Sequence, residues 1–138
     1  MKYSMCMATI GVVGASIASF FGGWDAALKT LIIFMAADYI CGLAVAGIFH
    51  ASKHSTGGRL ESREGMKGLF RKAGALLCVL IAAQLDLILG SDFTRDAVVI
   101  AFICNEALSI LENLGLMGVP VPQRLKDAVD ALKNGKED

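Results

Sequence analysis

Four stretches almost empty of charge set the terms for any fold this chain can adopt. Met5 to Phe21 carries no Asp, Glu, Lys or Arg. Thr30 to Phe49 carries only Asp38, Ala73 to Gly90 only Asp86, and Ala97 to Leu116 only Glu106 and Glu112. The stretches are 17, 20, 18 and 20 residues long. A helix crosses a hydrocarbon core of about 30 Å with about 17–25 apolar residues, so all four are of spanning length. A soluble helix would carry charges behind its apolar stripe, and the first stretch has no charged back at all. The chain is 55 % apolar and 19 % charged, which excludes a disordered polyelectrolyte. No stretch alternates with period two, which disfavours strands. The expectation is one all-α integral membrane domain over 1–138, with hydrophobic helices at about 5–21, 26–49, 73–90 and 97–116.

The basic residues give this arrangement an orientation. Eleven of the thirteen Lys and Arg fall at Lys2, in the segment 50–72, or in the tail 119–138. The tail holds Arg124, Lys126, Lys133 and Lys136, while only Lys29 and Arg95 lie in the short connections opposite. Four spans put all eleven on one side, and the positive-inside rule makes that side the cytoplasm. The reading is N-in and C-in, with a basic cytoplasmic loop at 50–72 and a cytoplasmic tail. Three spans, the alternative, would part the basic loop from the basic tail. Lys53, Arg59, Arg63, Lys67, Arg71 and Lys72 in the loop are expected to meet anionic lipid headgroups. Nucleic acid is not an expected partner, since no aromatic or motif support accompanies the basic residues. The N-terminal stretch lacks a small-residue cleavage signal and is expected to be retained as a helix.

The polar residues inside the apolar blocks are the informative exceptions. Asp38 sits mid-block, where an ionised carboxylate beside lipid costs about 2.5–3.5 kcal/mol on insertion scales, so it must face protein or water. The last block carries Asn105, Glu106, Ser109, Glu112 and Asn113 near one helical face, as expected of a bundle with a polar or wet interior. Gly11 and Ala15, and Gly42 and Ala46, are four residues apart and suit close helix packing. The four cysteines, at 6, 41, 78 and 104, are too far apart for a metal or redox motif and read as small buried hydrophobes. His50 and His54 have no nearby acid or thiol in the sequence, so no metal is expected. No nucleophile, phosphate-loop or cofactor motif is present, and the chain is not expected to be an enzyme. After Pro120 and Pro122, Leu125, Ala128, Val129 and Leu132 recur at helical spacing and predict a short amphipathic C-terminal helix.

The chain resembles the bacteriophage holins of the toxin-secretion/phage-lysis type, over roughly residues 22–125. The resemblance rests on Gly23 and Asp25, then on Asp38-Tyr39-Ile40-Cys41-Gly42. It continues through Ser62 to Leu69, Arg71, Lys72 and Asp86. Its most specific part is Asn105-Glu106 through Ser109-Ile110 to Glu112-Asn113, with Gly115, Gly118, Pro120 and Pro122 after it. The resemblance implies a homo-oligomer in the bacterial inner membrane. It implies lesions that release an endolysin, or a large toxin, without required direct contact with it. Asp38, Asn105, Glu106, Ser109, Glu112 and Asn113 would then form the pore or oligomer surface. Three spans are often drawn for the family, against the four expected here. An antiholin of the same fold and a small transporter using Asp38, Asp86 or Glu106 for proton coupling are the alternatives. Met1 and Met5 flank Lys2 and offer two starts, as in dual-start holin systems.

Overall fold

The computed structural model describes residues 1–55 and 57–135, so Lys136 of the basic tail lies outside the described residues. Five helices follow in order: α1 Lys2–Phe20, α2 Ala26–Gly47, α3 Ser62–Leu89, α4 Phe93–Leu116 and α5 Gln123–Asn134. The first four are each long and apolar enough to cross a membrane. α4 is the hub: it packs most extensively on α2, then on α3 and α5. α2 and α3 meet each other much less, and α1 rests lightly on α3 alone.

The core follows helical spacing. Leu28, Leu31 and Met35 of α2 meet Ala75 and Val79 of α3 and Val99 and Ile103 of α4. Outside this narrow seam the helices stay greasy. Ile10, Ile17, Ile33, Ile40, Leu77, Leu87 and Ile88 are all more than half exposed. In water such a surface would be one continuous aggregation patch; around a spanning bundle it is the face that lipid covers. α1 has no buried residue at all.

The helices begin and end where local chemistry satisfies their free backbone groups. Asp25 N-caps α2, its carboxylate accepting from the Leu28 amide at 2.9 Å. α3 ends on Gly90, whose φ of 67° is the left-handed turn that glycine adopts without strain. α4 is capped from the preceding helix: buried Asp86 accepts from the Arg95 amide at 2.7 Å, the Thr94 amide at 3.2 Å and the Ser91 hydroxyl at 2.7 Å.

The segment expected as a loop over 50–72 is loop only as far as Glu61. α3 starts at Ser62, eleven residues before the expected 73. Charge marked the edge of the apolar block, but charge does not stop a helix. Arg63, Glu64, Met66, Lys67, Leu69, Arg71 and Lys72 are good helix formers, and Lys67 donates to Glu64 at 2.7 Å one turn back. With 28 residues, α3 is about 42 Å long at 1.5 Å per residue, longer than a bilayer core. The remaining ends fall within a few residues of expectation, α4 starting at Phe93 rather than 97 and α2 ending at Gly47 rather than 49.

Candidate functional site

Three helices bring four polar side chains together in the middle of the apolar bundle. The Lys72 ammonium on α3 donates to Asp38 Oδ2 of α2 at 2.7 Å and to Glu106 Oε2 of α4 at 2.6 Å. Asn113 of α4 donates to the other Asp38 oxygen at 3.1 Å. The Lys72, Asp38 and Glu106 side chains are only 15 %, 14 % and 13 % exposed. Asp38 lies twelve residues into α2 and Glu106 thirteen into α4, about 18 and 20 Å along their helices. That is far from either helix start on the connection side. Two carboxylates share one ammonium there.

A second contact lies beside the first. Lys53, on the segment between α2 and α3, folds back over α4. It donates to Glu112 Oε2 at 2.6 Å and to Ser109 Oγ at 3.1 Å. The Glu112 side chain is 64 % exposed, so this pair sits at the rim. Together the two lysines answer most of the polar face of α4. A cleft of about 330 Å³ opens beside Lys72, lined by Tyr39, Gly42, Asn105, Ser109 and Asn113 among others.

Glycines set how closely the site closes. A Cβ on Gly65 would stand 3.4 Å from the Tyr39 hydroxyl oxygen, and one on Gly68 would stand 3.8 Å from the Tyr39 ring. The Tyr39 side chain therefore lies along a side-chain-free strip of α3, next to Asp38. Gly42 faces Asn113, with 3.9 Å between its ideal Cβ position and the amide nitrogen, and Ala46 is buried. Gly11 and Ala15 behave differently. They line an apolar groove of about 680 Å³ between α1 and the α2–α3 side of the bundle, and a Cβ on Gly11 would meet nothing within 4 Å.

Of the six residues expected on a pore or oligomer surface, Asp38, Glu106 and Asn113 meet directly in one cluster. Ser109 and Glu112 meet Lys53 in a separate contact, and Asn105 lines the cleft while exposed to the outside. Of the six basic residues expected at lipid headgroups, Lys72 turns into the polar cluster and Lys53 onto Ser109 and Glu112. Arg59 and Arg71 line the cleft, Arg63 is exposed, and Lys67 pairs with Glu64. The sequence reading missed Lys72 as the partner of both carboxylates. A signal was available: 72, 75, 79, 83 and 86 recur at helical spacing, and Ala75, Val79, Ala83 and Asp86 are all buried.

At the other end of the bundle Arg95 ties the two short connections together. Its guanidinium donates to Asp25 at 2.5 and 3.0 Å, to the Phe21 carbonyl at 2.9 Å and to Asp96 at 3.1 Å. The hydrogen bonds from Arg95 hold the Asp25 carboxyl below the usual carboxylate range. Gly22 admits this guanidinium, since a Cβ there would lie 3.1 Å from Arg95 Nε. Among the described residues no group of three or more His, Cys, Asp or Glu could hold a metal ion.

The chain matches the bacteriophage holin family over residues 15–134. It is 42 % identical over 135 residues to the uncharacterized protein Lin0175 of Listeria innocua, covering 94 % of this chain and 90 % of that one. It is 43 % identical over 117 residues to the uncharacterized protein Lmo0128 of Listeria monocytogenes, covering 84 % and 78 %. An uncharacterized 14.9 kDa protein in the nagH 3′ region of Clostridium perfringens is 36 % identical over 118 residues, covering 84 % and 83 %. No solved structure matches. The family match takes in the α2–α4 bundle with its buried lysine cluster and leaves most of α1 outside it. This chain belongs to the bacteriophage holin family and is a multi-pass protein of the bacterial inner membrane.

Proposed function

We propose that this protein oligomerises in the inner membrane and opens lesions through which an endolysin, or a large toxin, leaves the cytoplasm. The observation that carries the reading is the polar face of α4. Asn105, Glu106, Ser109, Glu112 and Asn113 lie on a helix of spanning length, with Asp38 facing them from α2. Such a face is costly beside lipid and stable against water or another subunit. Many copies that turn these faces toward one another enclose a wet interior without any further device. The cytoplasm takes the N-terminus, the 48–61 segment, the start of α3 and the tail, because the positive charge gathers there. Gly11 and Ala15 offer contacts between copies, and Arg59, Arg63, Lys67 and Arg71 meet anionic headgroups. The endolysin needs no binding site on the protein, only an opening.

The test is induced expression in a bacterium while membrane potential and release of a cytosolic reporter enzyme are followed. A delay, then abrupt depolarisation with leakage of the enzyme, is the expected course. Continued growth with an intact potential overturns the reading. Co-expression with a lesion-forming holin then separates an antiholin, which lengthens that partner's delay, from a transporter, which leaves it unchanged.

A further inference from the structure

The face that a lesion needs is already occupied inside the single chain. Lys72 takes one oxygen each from Asp38 and Glu106, Asn113 takes the other oxygen of Asp38, and Lys53 covers Ser109 and Glu112. A face satisfied in this way has no need of water or of a second copy. We infer that Lys72, seconded by Lys53, is an internal latch that keeps the polar face of α4 closed within the monomer, so that opening requires these lysines to let go. The inference rests on the lesion-forming reading.

The two lysines differ in how they hold. Lys72 sits between two carboxylates in the part-buried middle of the bundle. Without it both carboxylates lose their counter-ion, and α2 and α4 are driven to part or to admit water. Lys53 holds a rim pair that solvent screens, so its loss weakens the latch without breaking it. Both lysines come from one stretch of chain, the 48–61 segment and the first turns of α3. The latch is therefore carried by the most charged segment of the protein and acts on the most polar helix. Asn105 is the part of that face left outside the latch, exposed at the cleft and free to make the first contact with another copy.

The test uses the full chain with Cys6, Cys41 and Cys78 changed to alanine. Cys104 remains as a buried thiol on α4, 1 % exposed. Two readouts are followed for every variant: the delay to depolarisation on induction, and the rate at which a maleimide labels Cys104 in isolated membranes. Lys72→Met is expected to shorten the delay by at least about two-fold and to raise the labelling rate, because it leaves the buried carboxylates unpaired. Adding Asp38→Asn and Glu106→Gln to Lys72→Met removes the stranded charges, and is expected to restore the protection of Cys104. Lys53→Glu is expected to give a smaller shortening, reversed by Glu112→Lys in the same chain. Unchanged delay and labelling in Lys72→Met overturn the latch. So does a raised labelling rate that the neutral triple variant fails to restore. Where Lys72→Met does not accumulate, the Lys53 and Glu112 exchange decides: a single change that alters neither readout, or an effect the exchange does not reverse, overturns the latch. Should no variant depolarise the membrane, the lesion reading fails, and the labelling rates still report on the latch.

Discussion

Arg95 and Lys72 are the two residues whose loss the bundle can least accommodate, and they fail in different ways. Arg95 is 6 % exposed and donates to two carboxylates and to backbone carbonyls, whereas its partner Asp25 is 47 % exposed. The Asp25 side of the bond is screened by water, so Arg95→Ala is expected to cost about 1–3 kcal/mol rather than the larger figure for a fully buried pair. Urea unfolding of the detergent-solubilised protein, followed by circular dichroism, measures it. Arg95→Lys is expected to recover little, because an ammonium cannot present the planar fork that meets both Asp25 oxygens and the Phe21 carbonyl. The same bond has a pH signature. Because the Asp25 pKa is lowered in the fold, its stabilisation is fully present above the usual carboxylate value. It is lost as pH falls through the lower, folded one. Thermal stability is therefore expected to decline below about pH 4, with a shallower decline in Asp25→Asn. Equal slopes in the two proteins would detach the acid loss from this residue. None of this was legible in the sequence, where Asp25 and Arg95 stand in separate short connections and nothing local joins them.

At the scale of the helix, α3 shows what hydropathy reads and what it misses. Its apolar part, from Ala73 onward, stood out because Asp86 is its one charge. Its first eleven residues did not, because charge was present, although their helix propensity and the Glu64–Lys67 pair carry the helix straight through. The cost of that blind spot was functional. Only when the helix extends back through Lys72 does that residue come into register with Ala75 and Val79, and so face Asp38 and Glu106. The same early turns carry Gly65 and Gly68, against which Tyr39 lies. Gly68→Leu is expected to push the Tyr39 ring away and to cost about 1–3 kcal/mol by overpacking. Gly74, whose added Cβ would meet nothing within 4 Å, is the control: Gly74→Leu is expected to cost less. Comparable losses at both positions would mean that the strip under Tyr39 is not what sets the spacing of α2 and α3. The polar face of α4 was legible from its sequence alone, because Asn105, Glu106, Ser109, Glu112 and Asn113 all stand on one element. Its partners were not, because they arrive from two others.

For the whole molecule, the four charge-poor blocks foretold four helices of spanning length, and the uneven placement of lysine and arginine predicts a direction. Two polar knots lie at different depths of one apolar bundle: Arg95 with Asp25 and Asp86 by the short connections, and Lys72 with Asp38 and Glu106 farther along the helices. α1 stands apart from both, with no buried residue, and that bears on how many spans the chain makes. If α1 crosses the bilayer, the N-terminus shares a side with the tail. If α1 lies elsewhere, the N-terminus and the tail end on opposite sides. Single cysteines decide this when the native ones are replaced. Asp92→Cys reports the short α3–α4 connection, Lys126→Cys the tail and Ser4→Cys the N-terminus, and all three positions are exposed. A membrane-impermeant maleimide added to intact spheroplasts is expected to label position 92 alone, with positions 4 and 126 labelled only after lysis. That pattern follows from the positive-inside rule applied to four spans that put eleven basic residues on one side and two on the other. Labelling of position 4 before lysis would leave three spans and remove α1 from the membrane-crossing bundle. The lysine cluster would be untouched by that result, because every residue in it belongs to α2, α3 or α4.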